Sequence, residues 1–349
     1  HRDLHSFPTR RSSDLTGASS IIPPIKNLDI ENVHTLKSME DGIRLKELFR
    51  DENNKNIAII GAGFIGLEAV EAAKKYGKKV SVFQLGDRIL QDVFDKEITD
   101  LLEEELRSHN VDLYLQESVT EIIGDKKVKK VKTSNREVEA DVVIIATGVR
   151  PNTEFLKNSN LEMLPNGAII VDNYGKTSIE DVYSAGDCAT ITQIITGEKA
   201  YVPLATGANK LGRIVGENLA GADIEFQGSL SSSCIKVMNM EAGRTGITES
   251  KAKALNLNYK TVFINDMNAT NYYPGQSKIY IKLIYDSESK VILGGQVGGY
   301  KDAVQRVNVI AACIYGKLTT KELGMLDLCY APPFARTWDA LNVAGNVCK

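Results

Sequence analysis

The sequence predicts an α/β protein in which a parallel-sheet region is followed by a separate α+β domain. Short apolar runs such as Ile57–Ile60 and Asp141–Ala146 are typical of strands buried on both faces of a parallel sheet. Stretches with helical spacing, Leu67–Tyr76 and Phe94–His109, alternate with such runs in the order of βαβ units. After Gly228 the pattern changes to the alternation of antiparallel strands.

The remaining predicted elements follow in chain order. In the parallel region we predict strands at Val80–Leu85 and Val111–Leu115, followed by a meander of alternating residues over Val119–Glu139. Two more short strands follow at Ala168–Asp172 and Val182–Ala185, and then a helix at Leu204–Leu219. In the α+β region we predict four strands, at Ser232–Met238, Thr261–Asn265, Lys278–Tyr285 and Val291–Val297. Two helices follow, at Asp302–Tyr315 and Arg336–Val347. No repeat of solenoid or propeller length occurs.

The composition is that of an ordinary globular protein. The 349 residues are 43% hydrophobic and 25% charged, enough for two to three domains. The net charge of −3 comes from 42 basic and 45 acidic residues without long blocks, so neither a nucleic-acid nor a membrane-surface partner is expected. The longest apolar runs are too short to span a bilayer, and no signal peptide is visible. We therefore expect a cytoplasmic protein.

Cysteine and histidine are sparse and scattered. The five cysteines contain no CxxC pair, and the four histidines form no cluster, so no metal site and no Ser-His-Asp triad are expected. Cys188 is expected to be a small buried residue and not a redox thiol.

The motif with the clearest chemistry is Gly61-Ala62-Gly63-Phe64-Ile65-Gly66. A GxGxxG sequence is weak alone, but this one closes a strand and opens a helix inside a βαβ unit. Gly61 permits a tight turn, Gly63 lets the backbone approach a pyrophosphate, and Gly66 lets the helix pack on the strand. The helix N-terminus then offers N–H groups to the phosphates. The motif predicts a Rossmann-type site for NADH or NADPH.

Gln84 ends the second predicted strand, where an acidic residue in NAD-specific sites binds the ribose hydroxyls. Glutamine can bond the ribose without repelling a 2′-phosphate, and the nearest arginine, Arg88, is four residues further on. NADH and NADPH therefore both remain open.

Several motifs together identify a family resemblance. They are Thr16-Gly17 with Pro23-Pro24, GAGFIGLEAVE, ATGVRPN from Ala146, and VYSAGDCA from Val182. In this order they resemble the FAD-dependent pyridine nucleotide–disulfide oxidoreductases. The YYPG sequence at Tyr272 and YAPPFARTWDALNVAGNV from Tyr330 are similar to the branch of coenzyme A-disulfide reductases, NADH oxidases and NADH peroxidases.

The resemblance implies a role for each motif. At the nicotinamide nucleotide we expect phosphate contacts from Gly61, Gly63, Ile65 and Gly66. Phe64 is expected to act as an aromatic gate, and Glu68 and Gly148 are expected to line the pocket. At FAD we expect Gly186 and Asp187 to form the segment whose carboxylate binds the cofactor. The isoalloxazine ring would be bordered by Pro203, Leu204, Ala205 and Thr206. In a homodimer, three tyrosines would reach the partner's active site: Tyr330, Tyr272 and Tyr273.

The resemblance also sets the expected domains. They are a foreign or disordered leader (1–15), a remnant of the FAD domain (16–52), an NAD(P)-binding domain (53–150), a second part of the FAD domain (151–227) and a dimerisation domain (228–349). Family members begin with a first GxGxxG and a redox cysteine, both expected before Thr16. The sequence is therefore interpreted as N-terminally truncated and this chain as inactive by itself.

The expected reaction passes hydride from NAD(P)H through flavin to a disulfide, oxygen or peroxide. The tyrosine motifs favour coenzyme A-disulfide reductase by a small margin. Trp338 resembles the NADH oxidases and peroxidases instead. An inactive nucleotide-binding or dimerisation fragment is an alternative of another class. A relative of ferredoxin or rubredoxin reductases is disfavoured by the long C-terminal domain.

Overall fold

The computed structural model describes residues 12–349, which form two compact units. The smaller consists of residues 12–21 and Val149–Ser231, and the larger of Ile22–Gly148 and Ser232–Lys349. Of the predicted leader, residues 1–11 lie outside the described residues, and Ser12–Asp14 form a short strand. None of the helices described in 12–349 is long and apolar enough to cross a membrane.

The strands and helices are numbered in chain order. The strands are β1 Ser12–Asp14, β2 Ala18–Ser20, β3 Val33–Thr35, β4 Asn56–Ile60, β5 Lys79–Gln84, β6 Val111–Leu115, β7 Val119–Ile123, β8 Lys130–Thr133, β9 Glu137–Glu139, β10 Val142–Ile145, β11 Val149–Pro151, β12 Val182–Ser184, β13 Ile191–Thr192, β14 Lys199–Ala200, β15 Ser233–Val237, β16 Met240–Gly246, β17 Tyr259–Met267, β18 Lys278–Asp286 and β19 Ile292–Gly299. The helices are α1 Met39–Arg50, α2 Phe64–Lys75, α3 Lys96–Ser108, α4 Ala205–Leu219, α5 Glu249–Ala254, α6 Ala303–Tyr315, α7 Thr320–Met325 and α8 Ala340–Asn346, with a 3₁₀ turn at Glu154–Leu156.

The larger unit contains the predicted parallel sheet. Its five strands lie in the order β3-β10-β4-β5-β6, and every neighbouring pair is parallel. The apolar strands β4 and β10 are buried almost completely, because core side chains cover both faces of the sheet. The predicted meander is confirmed as the antiparallel sheet β7-β8-β9.

The C-terminal region of the larger unit is a second, antiparallel sheet with the order β15-β16-β19-β18-β17. Helix α6 packs closely on it: a Cβ added to Gly295 would lie 2.8 Å from Ile310, and one added to Gly243 would lie 2.9 Å from Val307. Side chains of β15 and β16 join the core that also holds α2 and α3, which binds the two sheets into one unit. The predicted α/β fold followed by an α+β domain is confirmed.

The smaller unit is built from short strand pairs. Strand β1 pairs with β12 in parallel, whereas β2 pairs with β11 and β13 with β14 in antiparallel fashion. Helix α4 packs its buried side chains, among them Leu211 and Val215, on these segments.

Two element predictions need correction, and one strand was missed. Ala168–Asp172 is not a strand: Ile169 forms isolated bridges with Met163 and Ala189, and its irregular neighbours extend no ladder. The helix predicted over Arg336–Val347 begins only at Ala340, because Asp339 caps it by accepting from the Leu341 N–H. Strand β16 was not predicted.

Candidate functional site

The glycine turn follows β4 and is contacted by the ends of two neighbouring strands, at Phe83 and at Ala146. Gly61 has φ of +104°, and its N–H donates to the Phe83 carbonyl over 2.8 Å. A Cβ at Gly61 would lie 2.4 Å from the Ala146 carbonyl oxygen. Both the backbone conformation and the close approach of the strand end at Ala146 therefore require glycine here.

The other two glycines of the motif differ from each other. A Cβ at Gly66 would lie 2.0 Å from the Gly61 carbonyl oxygen, so α2 can pack against the turn only through a glycine. A Cβ at Gly63 would meet nothing within 4 Å. Gly63 is the N-cap residue of α2, and no side chain caps this helix end. The space beside Gly63 is thus open at a helix N-terminus, as a bound phosphate requires.

Gln84 lies against the same turn. Its Oε1 accepts a hydrogen bond from the Ala62 N–H over 3.1 Å, while the Ala62 carbonyl accepts from the Leu90 N–H, also over 3.1 Å. Because the oxygen of the Gln84 amide faces Ala62, its NH₂ group is left to donate elsewhere. Arg88 instead donates to the Gln91 carbonyl over 3.1 Å.

The remaining predicted nicotinamide residues lie around the start of α2. Phe64 is half-buried and packs against the core. Gly148, with φ of +109°, follows Thr147, whose Cα lies 3.1 Å from the position of a Cβ on Gly61. Ile65 is half-buried as well.

Glu68 lies at the edge of a groove of about 540 Å³ between α1 and α2. Partial burial, and secondarily the nearby Glu71, raise the pKa of Glu68.

The predicted flavin segment lies in the smaller unit. Gly186 has φ of +82°, and a Cβ there would meet nothing within 4 Å, so open space adjoins the half-buried Asp187. The Tyr201 hydroxyl is buried without a hydrogen-bond partner among residues 12–349. Burial, and secondarily the charge of Asp187, raise the pKa of Tyr201 to about 12. A hydroxyl without a partner near Asp187 is a polar group that a ligand could satisfy.

The predicted border of the flavin ring forms the start of α4. Leu204 is the N-cap residue, and no side chain caps the helix. Pro203 and Leu204 are half-buried, whereas Ala205 and Thr206 are exposed. The first N–H groups of α4 are therefore available for a ligand oxygen.

Two of the three predicted tyrosines meet in the C-terminal region. The hydroxyls of Tyr272 and Tyr330 are 3.2 Å apart, and this hydrogen bond raises the pKa of Tyr272. The adjacent Tyr273 is also exposed, as is Trp338. Exposed aromatic side chains are typical of a binding surface.

The cysteines occupy unrelated positions. Cys188 is fully buried, and its Sγ lies 3.3 Å from the Ala185 carbonyl oxygen, as expected of a packing residue. Cys234 and Cys329 are exposed. Within residues 12–349 no group of three or more His, Cys, Asp or Glu side chains is placed to hold a metal ion.

Two family models match nearly the whole chain. The pyridine nucleotide-disulphide oxidoreductase model matches residues 16–212, and the model of the dimerisation domain of the same family matches residues 232–341. The chain belongs to the pyridine nucleotide-disulphide oxidoreductase family. The predicted resemblance is confirmed.

Relatives within this family carry two kinds of name. The chain is 40% identical to an NAD(P)H coenzyme A polysulfide/persulfide reductase of Pyrococcus horikoshii, over 95% of this chain and 74% of that protein. It is 37% identical to an NADH oxidase of Enterococcus faecalis, over 94% and 73%. A solved NAD-dependent persulfide reductase from A. fulgidus superposes with a TM-score of 0.91 at 36% identity. That match covers 97% of this chain and 62% of the solved one.

Sequence reasoning missed two contributors to these sites. Tyr201 lies two residues before the predicted segment at Pro203, but only the structure reveals its buried hydroxyl without a partner. Leu90 supports the glycine turn from the β5–α3 loop, with φ of +46°. No local signal marks Leu90, since its role depends on a contact with Ala62.

Proposed function

We propose that the chain binds NADH or NADPH at the glycine turn Gly61–Gly66. The observation that carries this proposal is the open space at Gly63 between two glycines that the fold itself requires. The uncapped N-terminus of α2 would face the pyrophosphate, and Gln84 would donate its NH₂ group to the adenosine ribose or to a 2′-phosphate. Glu68, Phe64 and Gly148 would border the nicotinamide.

The flavin FAD would lie along the Gly186–Asp187 segment and the N-terminus of α4. The buried hydroxyl of Tyr201 and the open space at Gly186 fit a polar cofactor there. Asp187 would accept hydrogen bonds from its ribityl hydroxyls, and residues Pro203–Thr206 would border its ring system. When bound, FAD supplies hydride acceptance from the nicotinamide and electron delivery to the second substrate.

The second substrate is proposed to be a sulfur compound, a disulfide or persulfide linked to coenzyme A. The hydrogen-bonded pair Tyr272–Tyr330 on an exposed surface supports this choice, since phenol hydroxyls can orient a polar sulfur substrate through hydrogen bonds. The name of the Pyrococcus relative points the same way. The second candidate is an NADH oxidase, which reduces oxygen, or an NADH peroxidase, which reduces peroxide. Trp338 favours this pair, and the Enterococcus relative is named an NADH oxidase.

The chain contains the dimerisation domain of its family. A homodimer is proposed in which Tyr272, Tyr273 and Tyr330 face the partner's flavin. Sedimentation at micromolar concentration should give twice the chain mass, and a monomer under these conditions would contradict this part of the proposal.

The test of the nucleotide site is Gly63→Val. The valine side chain would fill the space intended for the pyrophosphate, so the Kd for NADH should rise at least tenfold, about 1.4 kcal/mol. Titration of nucleotide fluorescence measures the change.

Thermal unfolding is the companion measurement. Because nothing surrounds Gly63, the substitution should cost only about 1 kcal/mol, through a poorer N-cap residue. Unchanged NADH affinity in the folded variant would refute the site.

A further inference from the structure

We propose that a buried polar cluster on the C-terminal sheet positions the loop that supports the glycine turn. The Lys282 cluster consists of Lys282, Gln296, Asp95, Glu97 and Glu249. Its members are positioning residues for nicotinamide nucleotide binding, and the inference rests on the nucleotide site proposed above.

Lys282 is the centre of the cluster. It lies on β18 with only 1% of its surface exposed, although lysine is rarely buried unless it is paired. Its Nζ donates to both carboxylate oxygens of Glu97 at 2.8 Å and to Glu249, and it lies 3.6 Å from Asp95. One ammonium group thus joins three carboxylates, two from the α3 region and one from α5. Without it, these three negative charges would repel one another.

Gln296 makes the second connection. It lies beside Lys282 on the neighbouring strand β19 and is 1% exposed. Its Oε1 accepts from the Asp95 N–H over 2.8 Å, and its Nε2 donates to the Asp95 carboxylate. The C-terminal sheet therefore holds both the backbone and the side chain of Asp95.

Asp95 is oriented by these contacts in an unusual way. It is the N-cap residue of α3, yet its carboxylate makes no capping bond to that helix. It accepts instead from the N–H groups of Glu249 and Ser250, over 2.9 and 3.2 Å. Asp95 thus serves the junction with the C-terminal region at the expense of its own helix.

A short hydrogen-bonded segment runs from Asp95 to the glycine turn. The N–H groups of Phe94 and Val93 donate to the Leu90 carbonyl over 3.0 and 2.8 Å. The Leu90 N–H donates to the Ala62 carbonyl inside the turn. Leu90 holds a left-handed conformation that a branched side chain rarely adopts, and the surrounding contacts must maintain it.

The segment 90–95 is therefore fixed at one end by the C-terminal sheet and at the other by the turn. Nucleotide binding requires the N–H groups of the turn to keep one geometry, and small displacements weaken it. Loosening the Lys282 cluster should therefore weaken nucleotide binding even though the cluster itself touches no nucleotide.

The test compares Lys282→Met with a matched control, Arg306→Met. Arg306 is also a buried cation of the C-terminal region, but its guanidinium binds Asp339 over 2.6 Å and the Asn268 carbonyl over 3.0 Å, with no contact to segment 90–95. The full chain is titrated with NADH by fluorescence, and the melting temperature of each variant is recorded. Lys282→Met should raise the Kd about fivefold. Arg306→Met should change it less than twofold.

Gln296→Leu is the second variant, since it breaks the Asp95 contact without leaving three carboxylates unpaired. It should raise the Kd about threefold and increase hydrogen exchange at the Leu90 amide. Unchanged affinity in either folded variant, or an equal loss in Arg306→Met, would overturn the inference. Wild-type chain that does not bind NADH would instead refute the proposed nucleotide site, so the two failures are distinguishable.

Discussion

The glycine turn of the larger unit and the Gly186 segment of the smaller unit both follow a strand and both use a glycine with positive φ. Around the turn, backbone atoms of Gly61 and Ala146 leave no room for side chains at Gly61 and Gly66. Around Gly186, apart from its two chain neighbours, no other residue described in 12–349 has an atom within 4 Å of the Cβ position, and the hydroxyl of Tyr201 has no partner in the same part of the chain. In the turn, Gly61 and Gly66 are enclosed by backbone atoms and the space beside Gly63 is open, whereas the Gly186 segment presents open space and, at Tyr201, a hydroxyl without a partner among residues 12–349.

The difference shows that glycines in one protein can be required for different reasons. Gly61 and Gly66 are required by folding, since their neighbours are backbone atoms of the same unit. Gly63 has no such neighbour, and Gly186 is required only by its φ angle. Substitution at Gly61 or Gly66 should therefore mainly lower stability, whereas substitution at Gly63 should mainly weaken ligand binding.

The largest effect is expected for Gly66→Val. Its Cβ would lie 2.0 Å from the Gly61 carbonyl oxygen, and a backbone atom held between two strands cannot move aside. Overpacking of this kind should cost about 3 kcal/mol of unfolding free energy. Calorimetry should show melting roughly 10 °C lower. Near-wild-type melting would mean that the turn is more plastic than this contact implies.

A smaller effect is expected for Gln84→Asp. A carboxylate at position 84 would repel a 2′-phosphate. The Kd for NADPH should rise about tenfold, or 1.4 kcal/mol, with little change for NADH. Parallel titrations with both nucleotides measure the ratio, and equal changes for the two would place residue 84 away from the ribose.

The smallest effect is expected for Tyr201→Phe in the smaller unit. Removing a buried hydroxyl without a partner should raise the free energy of unfolding of the unliganded chain by about 1 kcal/mol. Added FAD should then stabilise the variant less than the wild type. Melting curves with and without FAD test both statements, and lower stability of the unliganded variant would show that the hydroxyl is already bonded.

Much of the fold could be predicted because its signals are local. The buried strands β4 and β10 are continuous apolar runs, and the glycine spacing after Ile60 marks the turn without reference to any distant residue. Strand β16, with the sequence MEAGRTG, has neither alternation nor β-branched apolar residues, so its place in the sheet depends on pairing with β15 and β19.

Long-range contacts explain what the sequence could not predict at the sites. The pattern predicted a strand over Lys278–Tyr285, but a lysine within it is ordinarily read as solvent-facing. Lys282 is buried because Glu97 lies against it, 185 residues earlier in the chain. The predicted roles of Asp187 and the tyrosines stay predictions, since they depend on ligands and on a second chain.

The strand order of the parallel sheet has a consequence for synthesis. Strand β10 lies between β3 and β4, although it follows β3 by about a hundred residues. The two earlier strands cannot gain their shared neighbour until Ile145 has left the ribosome, which takes on the order of ten seconds at ordinary elongation rates. During that interval the apolar edge of β4 has no partner on one side, so the nascent chain is exposed to misassociation and chaperone capture. Closure of this gap is a non-local event, and it should slow the formation of the parallel sheet.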